Sequence, residues 1–305
     1  MTEEIMNDTP KGEEIVAEID KFDELPDAPP KRRIKLTWLG KLSVVVVVFW
    51  VVIAFIGPWI APYHEMDIDG DDSFIDAYEN FYLGTDHLGR DTLSRILWGA
   101  RMTIGISLAA TLLAYCMGIT LGIAAAVKGG WFDMVVSRLN DAVLALPSIM
   151  LGLIAIAAFG SSIPILISIA AIIYASSVFR IARALGQDIM VQDFVEAAKA
   201  RGEGIWWIIR AEVLPNAAMP LATDFGLRLV FVVLFISSLS FLGLGVQPPQ
   251  ADWGSMVREN LQGLTYKSYA AIWPAFAIAS FTIAINLIVD DVSAKSGGSL
   301  AKKMV

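Results

Sequence analysis

Asp193-Phe-Val-Glu-Ala-Ala-Lys-Ala-Arg-Gly202, continued by Glu203 to Pro215, is a charged, helix-forming island between two long apolar runs. Asp193 followed by Glu196 has the capping-box pattern, with Asp in place of Ser or Thr. The run from Ala197 to Arg201 favours helix, and Gly202 is a natural stop. Ile205-Trp-Trp-Ile-Ile-Arg-Ala-Glu-Val-Leu214 can form a second helix, which Pro215 then interrupts. The pattern therefore predicts a short helix, a tight turn and a second helix on the rim of a membrane protein. Composition alone favours a plainer reading, a connection lying along the lipid headgroups.

The surrounding chain fixes the class. Of 305 residues, 56% are hydrophobic and 18% charged, with a mean hydropathy of +0.60. Ordinary globular chains carry roughly 25% charged residues, so this composition predicts an all-α, multi-spanning membrane protein. The net charge of −8 is not spread evenly: residues 3–27 hold ten of the 31 acidic groups and residues 65–79 seven more. The single cysteine, Cys116, excludes an intrachain disulfide and reads as a small packing residue inside a helix. His64 and His87 have no cysteine partner and no ligand spacing, so no metal site or cofactor is expected.

Working outward, six apolar runs suit spans of about 20 residues. They cover about 42–60, 102–127, 142–159, 163–179, the stretch from Pro215 to Gly245, and 271–289. Residues 1–40 form an acidic tail, expected to be disordered, whose basic end carries Lys31-Arg32-Arg33 and Lys35, with Lys41 immediately after it. The tail lacks a basic start and an apolar core, so no cleavable signal is expected. A first span over 41–61 then leads to a polar segment over 62–100. Placing both termini in the cytoplasm puts 17 Lys and Arg residues on that side and five on the other, with Arg228 inside the fifth span. That asymmetry supports the orientation and sets the island of 193–215 on the cytoplasmic face.

Chemistry is sparse. The chain has no GxxxxGK[ST] loop, no GxSxG elbow and no HExxH helix, so it is not expected to be an enzyme; a partner would supply any nucleotide hydrolysis. Asp224 and Arg228 are four apart in the fifth span, where they can pair or line a pathway. Ser237, Ser238 and Ser240 can line a pathway or bond back to their own helix. Asn286 in the sixth span is a candidate for interhelical hydrogen bonding. Trp59, Trp98, Trp253 and Trp273 sit near span ends, where an interfacial belt accounts for them.

Four motifs in order then carry a resemblance. Leu83-Gly-Thr-Asp-His-Leu-Gly-Arg-Asp91 with the following residues to Met102 resembles the segment before the second span of di- and oligopeptide permeases. Arg138 to Pro147, with Asp141, resembles the entry to their third span. Glu196-Ala197-Ala198, then Gly202, then Leu214-Pro215 resembles the EAA loop of ABC importer permeases, although Glu212 stands where the family usually carries Ile or His. Ser238-Leu-Ser-Phe-Leu-Gly-Leu-Gly-Val-Gln-Pro-Pro249, followed by Trp253-Gly254, matches a further motif nearly letter for letter, although Ile236 replaces a Glu usual in the family.

The chain is thus identified as similar to the second permease of dipeptide, oligopeptide and nickel importers. The resemblance implies a type I ABC transporter permease fold, with the transmembrane domain over 101–291 and a cytoplasmic tail over 292–305. It implies an inner (cytoplasmic) membrane of a prokaryote, a homologous permease partner, two cytoplasmic ATPase subunits and an extracytoplasmic solute-binding protein. Glu196, Ala197, Ala198, Gly202, Leu214 and Pro215 would couple ATP hydrolysis in those partners to alternating access. Peptides are the expected cargo, with nickel or small sugars as alternatives. A secondary transporter driven through Asp224 and Arg228, or a purely structural membrane subunit, are the competing classes. Lipid is an expected partner and nucleic acid is not.

Overall fold

A computed structural model gives the structure of residues 36–301, apart from 69, 71, 79 and 80, with side chains described as far as residue 294. The acidic tail expected before residue 36, and the last residues, 302–305, lie outside the described residues. In chain order the helices are α1 (Trp38–Ile60), α2 (Thr92–Lys128), α3 (Gly130–Leu144), α4 (Ser148–Phe159), α5 (Ile163–Met190), α6 (Asp193–Ala200) and α7 (Ile205–Ile208). A π-helical turn at Ile209–Val213 follows, then α8 (Leu214–Phe241), α9 (Trp253–Asn260), a 3-10 turn at Leu261–Tyr266 and α10 (Ile272–Ala301). Among the described residues no strand forms; Tyr78–Phe81 and Thr85–Asp91 make isolated bridges.

Five segments are long and apolar enough to cross a membrane: α1, α2, α5, the stretch Ile205–Phe241, and α10 as far as Ala294. The sixth expected span differs. The run placed at about 142–159 is broken at Ala145-Leu-Pro147, and α3 and α4 meet there at 90°. Pro147 lacks an N–H and forces Leu146 away from helical geometry, so the chain turns a corner there. The 12 residues of α4 span about 18 Å, short of the roughly 30 Å of hydrocarbon. The six runs are therefore five continuous spans and one bent pair.

Several boundaries also move. The α1 helix begins at Trp38, with the Thr37 hydroxyl accepting from Gly40 N. Leu93, Ile96 and Leu97 lie in the first turns of α2. Asp91 starts that helix by accepting from Ser94 N at 2.7 Å. The α10 helix runs past Asp290-Asp291 to Ala301, so much of the expected tail over 292–305 is helical.

The centre of the bundle is α2 against α5, and small residues set their approach. A methyl group on Gly118 would come within 2.6 Å of Val178 Cβ, and one on Gly122 within 2.7 Å of the Phe179 carbonyl oxygen. Ala110, Ala114, Ala170, Ala171 and Ala182 are fully buried. Apolar side chains gain little by leaving lipid, so close backbone packing of this kind is what holds spans together. Cys116 lies on α2 but is exposed, so the packing role expected of it falls instead to these alanines and glycines. The α1 and α10 helices close one flank, with Trp50 Nε1 donating to Ser280 Oγ at 2.9 Å and Thr37 N to Asp291 Oδ2 at 2.7 Å.

Candidate functional site

The island of 193–215 folds as the expected helix–turn–helix, with altered details. Gln192, not Asp193, is the N-cap of α6, and it makes no side-chain cap bond. The capping box does not form; Asp193 and Glu196 instead lie in the first turn and Lys199 in the last, each favourably placed for the helix dipole. The α6 helix ends in a Schellman motif: Gly202 N donates to Lys199 O at 2.9 Å and Glu203 N to Ala198 O at 3.2 Å. Gly202 has φ +84°, and a Cβ there would meet nothing within 4 Å. Its constraint is the left-handed backbone alone.

Val195 and Ala198 turn inward and are fully buried, in a cluster with Ile123, Ala182, Ile208 and Val213. That cluster fastens the loop to α2, α5 and α8. Glu196, Ala197, Lys199 and Gly202 remain exposed on the outer face, with Phe194 beside them. Ala198 therefore serves the anchor and not the outer surface. Pro215 does not interrupt the second helix. The π turn at Ile209–Val213 carries the chain through it, and Pro215 lies in the first turn of α8, where its missing N–H costs least. Leu214 and Pro215 are exposed at that junction. Glu212 is half-buried and forms no ion pair among the described residues; Asn216 Nδ2 caps its carbonyl at 2.7 Å.

Inside the bundle, Asp224 and Arg228 do pair, at 3.1 Å. A third partner comes from another helix: Tyr115 of α2 donates its hydroxyl to Asp224 Oδ2 at 2.5 Å. Both Asp224 oxygens are thus satisfied between two spans, as a buried carboxylate requires. Replacing Tyr115 with Phe is expected to destabilise the bundle by about 1–3 kcal/mol, because it leaves Asp224 Oδ2 with only the longer 3.3 Å bond from Arg228 Nε. Thermal unfolding of the solubilised complex checks this, and an unchanged midpoint would contradict it. Asn286 is half-buried and makes no side-chain hydrogen bond among the described residues. The interhelical polar contacts of α10 come from Ser280 and Asp291 instead. Ser238 bonds back to Leu234 O, Ser240 Oγ accepts from Val246 N, and buried Ser237 Oγ has no hydrogen-bond partner among the described residues.

At the other end of α2, the loop of 62–91 is pinned to α9 by buried charge. Asp86 is fully buried and accepts from Arg90 Nε at 2.8 Å and from an Arg95 guanidinium nitrogen at 2.6 Å. Arg95 also reaches Glu259 of α9 at 3.1 Å, and Asn260 Oδ1 accepts from His87 N. Burial works against the ionised Asp86 carboxyl, but the Arg95 and Arg90 guanidiniums and the N–H groups of Arg90 and Leu88 hold it below the usual carboxylate range. Asp252 caps α9 and accepts from Thr103 Oγ1 at 2.8 Å; burial pushes its carboxyl above the usual range. Trp253 is fully buried, its ring edge-on to Trp50 and its Nε1 donating to Ile96 O. It is a core residue, not part of an interfacial belt; Trp59, at 77% exposure, keeps a belt-like position.

A helical bundle of five candidate spans and a bent pair, with an anchored helix–turn–helix between α5 and α8, defines an all-α multi-pass membrane protein. The model of the binding-protein-dependent transport system inner membrane component matches residues 118–293, and this chain belongs to that family. The glutathione transport system permease protein GsiD of Pectobacterium atrosepticum is 31% identical over 245 residues, 80% of this chain and 81% of the relative. The dipeptide transport system permease protein DppC of Alkalihalophilus pseudofirmus is 29% identical over 259 residues, 85% of each chain. The MetNI methionine ABC transporter in inward-facing conformations shares the fold, with a TM-score of 0.54 at 16% identity over 66% of this chain and 95% of that one. An amino acid ABC transporter structure covers 64% of this chain and 91% of its own at 20% identity, with a TM-score of 0.50. The chain is thus a multi-pass permease subunit of an ABC importer, a class that works with an ATPase and a binding protein.

Proposed function

We propose that this permease imports di- or oligopeptides by alternating access, and that α6 with its Gly202 turn is where a cytoplasmic ATPase docks. The observation that carries the docking role is the division of α6 into two faces. Val195 and Ala198 lock it to three long helices, while Glu196 and Ala197 stand free on the outside. A push on the outer face is then transmitted to α2, α5 and α8 together, since packed cores move as units between discrete arrangements.

The excess of Lys and Arg on the segments at this end supports a cytoplasmic position, with both termini on the same side. A homologous permease, two ATPase subunits and an extracytoplasmic solute-binding protein complete the assembly in this reading. The glutathione and dipeptide names of the relatives support a peptide cargo. Asp224 and Arg228 hold α8 to α2 through Tyr115 rather than contacting cargo, since both carboxylate oxygens are already occupied.

Reversing the charge on the outer face tests the docking role. Glu196→Arg is expected to reduce the ATPase recovered with the permease pair about tenfold, the effect of losing one good interface contact of about 1.4 kcal/mol. The two permeases should stay together in the membrane. Full ATPase recovery with normal peptide uptake would remove α6 from the docking surface.

A further inference from the structure

A groove between the end of α2 and the return arm of the loop is used by none of these steps. Ile119, Ile123 and Val127 form one wall, Ile205, Ile209 and Leu214 the other, and the space is about 600 Å³. The lining is apolar except for the Thr120 hydroxyl and two cations, Lys128 at the last turn of α2 and Arg210 in the π turn. Both cations are exposed. Neither forms an ion pair among the described residues. Lys128 Nζ instead lies over the Phe132 ring at 4.9 Å, which orients the ammonium without neutralising it. Trp206, at the groove mouth, is 78% exposed.

Each of these features narrows the ligand. The α2 wall belongs to a helix long and apolar enough to cross a membrane, so in this reading the groove opens beside the cytoplasmic end of that span. The rim carries two cations with no counter-ion beside an exposed tryptophan, the composition of the headgroup level. Basic pockets between spans at this level attract anionic headgroups, each Lys or Arg adding to the pull. We infer that the groove is a binding site for an anionic phospholipid, with an acyl chain along Ile119, Ile123 and Ile209 and the phosphate held by Lys128 and Arg210. Because one wall is the arm that joins α6 to α8, a bound lipid braces the element through which the ATPase acts. The inference rests on that coupling reading and on the α6 end lying at a membrane face.

The test uses the intact importer, placed in nanodiscs and proteoliposomes of phosphatidylcholine alone or with phosphatidylglycerol. Wild-type complex is expected to retain phosphatidylglycerol through purification, and its ATP-driven uptake to rise several-fold when that lipid is present. The Lys128→Gln, Arg210→Gln double variant should retain about tenfold less of it and lose the lipid dependence, with subunit composition unchanged. Arg210→Lys, which keeps the charge, should behave as wild type. Equal retention by wild type and double variant would overturn the site. Release of the ATPase by the double variant with lipid retention intact would also overturn it, marking the cations as a subunit contact. Restoration of uptake by inorganic phosphate in phosphatidylcholine would replace the lipid with a free anion. Loss of ATPase on Glu196→Arg without any lipid dependence would reject the lipid site and leave the coupling reading standing.

Discussion

Gly202→Val is expected to abolish peptide uptake while leaving the subunit in the membrane at its normal level. Gly202 holds φ +84° at the end of α6, and the two bonds that close the turn, Gly202 N to Lys199 O and Glu203 N to Ala198 O, depend on that conformation. An L residue pays roughly 1–2 kcal/mol in the left-handed region, and a β-branched one more, because Cβ crowds its own carbonyl. Valine therefore shifts the turn toward other conformations and re-aims α6. Nothing else suffers, since a Cβ at 202 would touch no atom within 4 Å and the anchoring cluster of Val195, Ala198 and Val213 lies on the opposite face. Gly202→Asn is the decisive companion, because asparagine tolerates the left-handed region, and it should retain much of the uptake. Transport assays with membrane-level immunodetection read both variants. Normal uptake by the valine variant, or equal loss in both, would show that the turn geometry is not what matters.

The positions of the long helices and of this turn were legible in the sequence because each leaves a local signature. Hydropathy marks five spans, and a glycine after an alanine-rich run marks a left-handed stop. Where the sequence misled, the deciding contact lay far along the chain or depended on backbone geometry. A hydropathy window cannot distinguish a span from two short helices, so it does not show the corner at Pro147. Pro215 looked like an interruption because the π turn that accommodates it has no sequence signature. Trp253 reads as a belt residue from its place near a span end, yet its environment is Trp50, Gly99 and Ile96, none adjacent in sequence. Residue type alone suggests a packed Cys116 and a hydrogen-bonded Asn286, whereas helix rotation decides which side chains face inward. The Tyr115–Asp224 bond joins residues on different helices, and an i, i+4 pattern on α8 could reveal only Arg228.

The same distinction governs the second large effect, at Asp86. The motif Leu83 to Asp91 announces a loop, but its sequence does not show that two arginines converge on one buried carboxylate. Asp86→Ala is expected to lower the stability of the complex by about 3–5 kcal/mol, because it leaves Arg95, at 2% exposure, and Arg90 without their main counter-charge. Asp86→Asn should cost less, since a side-chain oxygen can still accept from Leu88 N and Arg90 N. Glu259→Gln should cost least, because Glu259 is the more exposed acid and Arg95 keeps Asp86. The pH dependence has a definite sign. The carboxyl of Asp86 titrates below its ordinary value, so its stabilisation is fully present above the unfolded pKa of about 3.9 and is lost as pH falls through the lower, folded value. Between pH 5 and 8 the Asp86 contribution should therefore stay constant, and the gap between wild type and Asp86→Asn should narrow only in stronger acid. Thermal unfolding of the solubilised complex from pH 8 down into that stronger acid measures both the order and the window. A gap that closes near neutral pH, or an alanine variant as stable as wild type, would show that the arginines find other partners and that this end of α2 is not held by charge.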